Sequence, residues 1–440
     1  MNKLLLFILL LSCSLSGYAQ TEVRTYYEND ENRPLREQYV ILNGDSSMID
    51  GRYIRFYAQG DTMATVMFDK GIKTGPFREY YENGELQRET NFVDGKQKGP
   101  FTVYTAEGRV WQEGRYENGE LTDTLKVYFP NGRVRKTTVF NNGQPEGQVK
   151  EYYDDGILKQ TITYAGGKQN GPAKRYYKDG QLQSEGTYKN GQIEGSTTTY
   201  YPDGQVETET LMNGEKEATF TNYFTSGAVS TKGAYKNGKL HGKVYTYYEN
   251  GNPKRKILYD EGVPQGETYT YYEEGGLMWT TDYKDAANYK VTGYHEDGSL
   301  KSEAVYIDGK MEGKYTSYNK NGSLANTAEY KKGVQNGPLR YFDNQGRLTY
   351  ETDYQSGQLV GEEISYYPEN GQKKELTTYS NNKKHGKTTK WYPDGTVMIK
   401  GEYAGNRQAG EWYYYTEAGE LEKTEIYQRG ELVETREGKN

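Results

Sequence analysis

The chain has 440 residues, of which only 33% are hydrophobic, with 47 Tyr, 53 Gly and a single Cys. So little apolar material argues against the two or three deep cores that this length could otherwise fill, and one cysteine excludes a disulfide framework. The 55 basic against 62 acidic residues leave a net charge of −7, which disfavours nucleic acid or an anionic lipid surface as a nonspecific partner.

Residues 1–19 read as a secretory signal: Lys3, then an apolar run from Leu4 to Leu11, then Gly17-Tyr18-Ala19 before Gln20. The small-x-small pattern favours cleavage after Ala19. Leu10-Leu11-Ser12-Cys13 is also a loose lipobox, and lipidation at Cys13 is the alternative. The expected location is therefore outside the cytoplasm: periplasmic, attached to the outer membrane, or secreted. No later apolar run is long enough to span a membrane as a helix.

From Gln20 to residue 50 a first repeat is irregular. Asp30 replaces a turn glycine, and Pro34 and Asn43-Gly44-Asp45 interrupt the pattern, so 20–50 is expected to be an atypical N-terminal cap. Repeats then fill 51–430. Opening glycines stand 24 residues apart at Gly51, Gly75 and Gly99, and again at Gly147, Gly171 and Gly195. Gly242, Gly266, Gly313, Gly337, Gly361, Gly386 and Gly410 continue the series, with worn slots near Asp123, Ala218 and Lys290. A fixed period of this kind means a solenoid or array.

The unit Gly75–Gly99 shows how each repeat works. Asn83-Gly84 between two alternating runs predicts a hairpin with a type I′ turn. Counting outward from the turn, Tyr81 faces Leu86, Glu79 faces Arg88, and Phe77 faces Thr90. Arg78 meets Glu89, as Lys174 meets Glu185 in a later repeat, and opposite charges across strands are mildly favourable. Phe77, Tyr81, Leu86 and Phe92 form the packed side, and Arg78 and Tyr80 lie on the other. Four such side chains cannot offset the entropy of ordering a whole repeat, so a single hairpin must stack on its neighbours. In the weakest repeat, Asp285-Ala286-Ala287-Asn288 replaces the loop glycine; this is either a bend in the sheet or, as we favour, a tolerated loop change. Residues 431–440 form a polar tail suited to covering the last strand.

The pattern Gly-x4-Tyr-Tyr-x-Asn-Gly-x-Leu-x5-Tyr-x2-Gly-x3-Gly resembles the MORN repeat variant. Proteins carrying it are commonly labelled the YwqK family of antitoxin components. Tyr235-Lys236-Asn237-Gly238-Lys239-Leu240-His241-Gly242-Lys243 and Lys384-His385-Gly386-Lys387 carry the likeness most closely. It covers essentially all of 51–430, and the regular Tyr-x-Gly-x-Trp of original MORN repeats is missing. The resemblance implies a long antiparallel meander of hairpins and, by label alone, an antitoxin role. The fold expected is thus all-β: a tandem β-hairpin repeat array of about 24 residues per repeat forming one elongated, twisted antiparallel meander.

No catalytic constellation emerges. His241, His295 and His385 are too dispersed to converge on one metal ion, and they read as solvated loop residues. Gly-x3-Gly loops such as Gly95–Gly99 lack the strand-loop-helix setting of a phosphate site. Carboxylates are matched by basic partners across the strand. No cofactor is expected. The remaining candidate is the outward tyrosine of each pair: Tyr80, Tyr152, Tyr176, Tyr200, Tyr247, Tyr271 and Tyr366. Such rings suit protein contacts or sugar stacking, or simply pack on one another. The leading expectation is a non-catalytic cell-envelope or secreted scaffold for protein–protein interaction. The alternative is a carbohydrate-binding protein that uses the tyrosine row on an envelope polysaccharide.

Overall fold

The computed structural model describes residues 17–29, 33–214 and 216–438. The expected export segment, with Cys13, lies outside them except for Gly17–Ala19, and so does Asp30. Among the described residues there is no α-helix. Two compact bodies, 1–212 and 213–440, are each built from antiparallel strands that pair with their neighbours along the chain. Among the described residues the first holds eighteen strands between Gln20 and Met212, the second twenty-two between Glu217 and Glu437.

Each repeat is a hairpin whose centre has the expected register. Phe77 pairs with Thr90, Arg78 with Glu89, and Glu79 with Arg88; Lys174 pairs with Glu185. The tip departs from expectation. Tyr80, not Tyr81, lies opposite Leu86. The Tyr81 N–H donates to Glu85 O (2.8 Å) and the Gly84 N–H to Tyr81 O (2.9 Å). Gly84 has φ 84°, and Asn83 is not among the residues with positive φ. This is a three-residue loop ending in a left-handed glycine, not a two-residue type I′ turn. The register recovers because Gln87 bulges out between Leu86 and Arg88.

The type I′ turns lie at the opposite end of the strands. Asp94 and Gly95 have φ 49° and 78°, and they connect Val93 to its partner Lys96. Asn118-Gly119, Asn190-Gly191 and Asp308-Gly309 repeat this geometry. So does Asn43-Gly44, and the strands Gln20–Tyr26, Leu35–Leu42 and Asp45–Phe56 pair in sequence as later strands do. Residues 285–288 form a local loop in which the Asp285 carboxylate accepts the Ala287 and Asn288 amides (both 2.9 Å). Tyr283 still pairs with Tyr289 and the register on both sides is unbroken, which is the tolerated loop change. The residues after Gly430 extend as the strand Glu431–Glu437, paired with Leu421–Gln428.

The buried stripe runs along the middle of the strands and is thin. It includes Val66, Phe101, Val149, Val244 and Trp412, interspersed with Thr90, Thr161, Thr377 and Thr388. β-branched and aromatic side chains suit a half-buried pleated surface, and threonine fills the stripe without needing a second layer over it. Large rings sit over glycines. A Cβ on Gly114 would lie 2.8 Å from the Phe101 ring, and one on Gly233 would lie 3.0 Å from Phe220.

Candidate binding faces

The two aromatics of each pair do different jobs. The second, at the hairpin tip, ties one repeat to the next. The Tyr57 hydroxyl donates to Tyr80 O (2.7 Å), Tyr81 to Tyr104 O (2.8 Å), Tyr153 to Tyr176 O (2.9 Å) and Tyr177 to Tyr200 O (2.6 Å). Tyr248, Tyr272, Tyr367 and Tyr392 do the same in the second body, and Tyr27 reaches Phe56 O. His295 occupies this slot, with Nε2 3.0 Å from Tyr318 O. It is therefore a structural tie, not a solvated loop residue.

Two further ties accompany the tyrosines. Asn83 Oδ1 accepts the Glu85 amide while its Nδ2 donates to Ala106 O in the next tip (2.9 Å); Asn131 bonds likewise to Arg133 and Asp154. At the type I′ end, the Gly95 N–H donates to Lys73 O (3.0 Å) and the Gly119 N–H to Gln97 O (2.9 Å).

The first aromatic carries the candidate face. All seven sequence-derived tyrosines (Tyr80, Tyr152, Tyr176, Tyr200, Tyr247, Tyr271 and Tyr366) are half-buried. Tyr200 donates to Glu185 Oε1 (2.8 Å) and Tyr366 to Glu351 Oε1 (2.6 Å). Tyr104 and Tyr128, in the same slot, donate to Glu89 and Glu113 (3.2 and 2.6 Å). Each of these carboxylates also meets a cation across the strand: Glu113–Lys126 at 3.1 Å, Glu185–Lys174 at 3.0 Å, Glu351–Arg340 at 3.2 Å and Glu89–Arg78 at 3.7 Å. A trio of phenol, carboxylate and cation thus recurs along the face. Tyr247 lies under Lys232 (5.4 Å) and Tyr271 stacks on Tyr269. The cross-strand ion pairs are legible in sequence; the tyrosine that joins each from the next hairpin is not.

Sequence reasoning also missed the role of the bulge. The bulged residues Arg135, Lys159, Lys254 and Lys374 set their cations over the tip aromatics Phe129, Tyr153, Tyr248 and Tyr367, 5.1–5.9 Å from the ring centres. Missed too were carboxylates inside the thin stripe. Glu363 accepts the Tyr350 hydroxyl (2.7 Å). Glu425, 9% exposed, takes Lys423 (2.6 Å) and the Tyr427 hydroxyl (2.9 Å). Among the described residues, no group of His, Cys, Asp and Glu is arranged to hold a metal ion. No helix among them is long and apolar enough to cross a membrane.

These contacts set a pH dependence. Burial, then the hydrogen bond to Glu113, pushes Tyr128 up to about 12; burial and Glu351 do the same for Tyr366, against an ordinary value of 10.0. Folding favours the protonated phenol, so this stabilisation is complete below pH 10.0 and is lost as pH rises through about 12. Glu113 and Glu185 are held below the usual carboxylate range by tyrosine hydroxyls first and lysines second. Their contribution is present above that range and fades as pH falls through the lowered values. In ultraviolet difference titration, Tyr366→Phe should remove one late-titrating phenol and Glu351→Gln should bring Tyr366 closer to 10.0.

The two aromatics are also expected to differ in mutation. Tyr81→Ala loses its ring and its bond to Tyr104 O, for a loss of about 2–3 kcal/mol. Tyr80→Ala keeps the carbonyl that Tyr57 uses and should lose clearly less. Urea unfolding of both variants is the check, and equal losses would overturn the division of roles.

The fold and its periodic faces define a tandem β-hairpin repeat protein, a repeat scaffold in architecture. Eight of its repeats match the family model of the MORN repeat variant, at residues 73–94, 145–165, 169–190, 193–213, 240–261, 290–308, 311–332 and 384–404. No curated protein matches the chain. Solved structures with some likeness include TcdB2–TccC3, at 13% identity and TM-score 0.15, with 95% of this chain and 28% of that one covered. TcdB2–TccC3 without its hypervariable C-terminal region gives 12% identity and TM-score 0.14, covering 94% and 31%. The Photorhabdus luminescens Tc holotoxin pore with a TccC3 mutation gives 12% and 0.14, covering 94% and 30%. The chain spans less than a third of each, and a likeness this weak decides nothing about function.

Proposed function

We propose that the chain is a non-catalytic scaffold of the cell envelope, or a secreted one, that holds a protein partner through many equivalent contacts. The observation that carries this is the recurring trio at Tyr104, Tyr128, Tyr200 and Tyr366. Each trio presents a half-buried ring beside a paired charge, already fixed by its own hydrogen bonds. Rings fixed in this way lose little entropy on binding, and weak contacts repeated at regular spacing add through effective concentration. The apolar run after Lys3 and the Gly17-Tyr18-Ala19 site support export.

The test is co-sedimentation of the mature protein with isolated cell-envelope material, untreated and protease-digested. Binding to untreated material that disappears on digestion is the expected result. Binding that survives digestion, or no binding at all, would overturn a protein partner.

A further inference from the structure

In the first body the tip slot holds no tyrosine at Thr105 and at Phe129, and a recess lies beside Phe129. Tyr81, Tyr153 and Tyr177 each send a hydroxyl to the carbonyl 23 residues further on. Phe129 stands in that slot and has no hydroxyl to give Tyr152. Beside it is an open recess of about 590 Å³ whose lining includes Phe129, Tyr153, Arg135, Lys159, Glu151 and Asp154.

The chemistry of the lining is specific. Two aromatic rings come from successive hairpin tips. Two strands per repeat set such positions about 10 Å apart, roughly the length of a disaccharide. Each ring has a cation near its face, Arg135 at Phe129 and Lys159 at Tyr153 (both 5.9 Å). The Glu151 carboxylate receives Lys159 (3.2 Å) and Gln160 (2.6 Å), which leaves acceptor positions free, since an ionised carboxylate has about four. Two cations and two carboxylates cancel, so the recess offers no net attraction to an ion. Flat apolar rings flanked by balanced donors and acceptors fit a chain of sugar rings: apolar C–H faces lie on the aromatics and hydroxyls bond at the sides.

We propose that this recess binds a short neutral oligosaccharide, stacked on Phe129 and Tyr153 and held by Arg135, Lys159, Glu151 and Asp154. Tyr152 of the tyrosine row also borders the recess, but the site is built on the tip aromatics and does not depend on the partner reading.

The experiment is calorimetric titration of the full mature chain with maltotetraose, cellotetraose and mannotetraose, and with a tetramer of galacturonic acid as the charged control. Saturable binding of at least one neutral tetrasaccharide is expected. Phe129→Tyr, which supplies the residue that makes the tie at positions 81, 153 and 177, should weaken that binding at least tenfold while the Tm stays level or rises. Glu151→Gln should weaken it severalfold. Absence of saturable binding to all three neutral probes would overturn the proposal. So would unchanged affinity in Phe129→Tyr, or equal affinity for the charged tetramer.

Discussion

Gly401→Val should cost about 3 kcal/mol or more of stability, one of the largest losses expected from a single substitution in the chain. A Cβ at Gly401 would lie 2.5 Å from Cε2 and 2.8 Å from Cγ of the Trp412 indole. The indole is 3% exposed and is wedged between Tyr403 and Tyr427, with ring centres 5.1 and 6.1 Å away. It has no room to retreat, so the added methyls must displace backbone or break the aromatic row. Denaturant unfolding measures the loss. The double variant Gly401→Ala with Trp412→Thr should recover much of it, since threonines already fill adjoining positions of the stripe, as Thr377 and Thr388 do with hydroxyls 2.8 Å apart. If the double variant is no better than Gly401→Ala alone, the contact with the ring is not the cause.

A larger effect is expected from shortening the array. A fragment of two repeats, 361–409, should be unfolded by circular dichroism, while six repeats, 266–409, should fold. The reason lies in the ties between repeats. Tyr367 to Trp391 O, Asn370 to Pro393 O and Asn382 N–H to Leu359 O each join a repeat to its neighbour. A repeat at the end of a fragment has these on one side only, and a two-repeat fragment has no interior repeat. Stability in such arrays is a sum of repeat and nearest-neighbour interface contributions, so it grows with length from an unfavourable start. Cooperative folding of 361–409 would show that the hairpins are stable singly and that the ties are incidental.

The centre of each hairpin was legible because alternation and cross-strand charge agree there: Phe77 with Phe92 on one side, Arg78 with Glu89 on the other. The tip was not legible. Asn-Gly satisfies a type I′ turn, but it equally satisfies a three-residue loop in which only Gly84 is left-handed and Asn83 serves by hydrogen bonding. The error left no trace in the register because Gln87 bulges out and restores the count. Tyr80 of the tyrosine row lies opposite Leu86, which alternation alone assigns to the packed side. The row's engagement could not be read, because the Tyr200–Glu185 and Tyr366–Glu351 bonds join residues 15 apart on different hairpins. The same holds for the tie that Tyr81 makes, and for the recess beside Phe129.

The two ends of the strands are joined across repeats by different kinds of atom. At the tips the link runs through tyrosine and asparagine side chains, so a substitution there can cut it. At the type I′ turns an amide and a carbonyl recur as the link, joined in places by a side chain, as where Glu312 accepts the Lys332 amide (2.7 Å). Lys70, Glu261, Lys332, Ser356 and Arg429 all stand in the first left-handed position of these turns, and the departure from the usual loop at 285–288 falls at this end, with Gly309 N–H still reaching Ala287 O (2.8 Å). One margin of each body is therefore held through side chains, and the other leans more on backbone, with side chains such as Glu146 and Glu312 adding to it. The second is where the array can diversify, accept new loops or carry grafted peptides without loosening the stack.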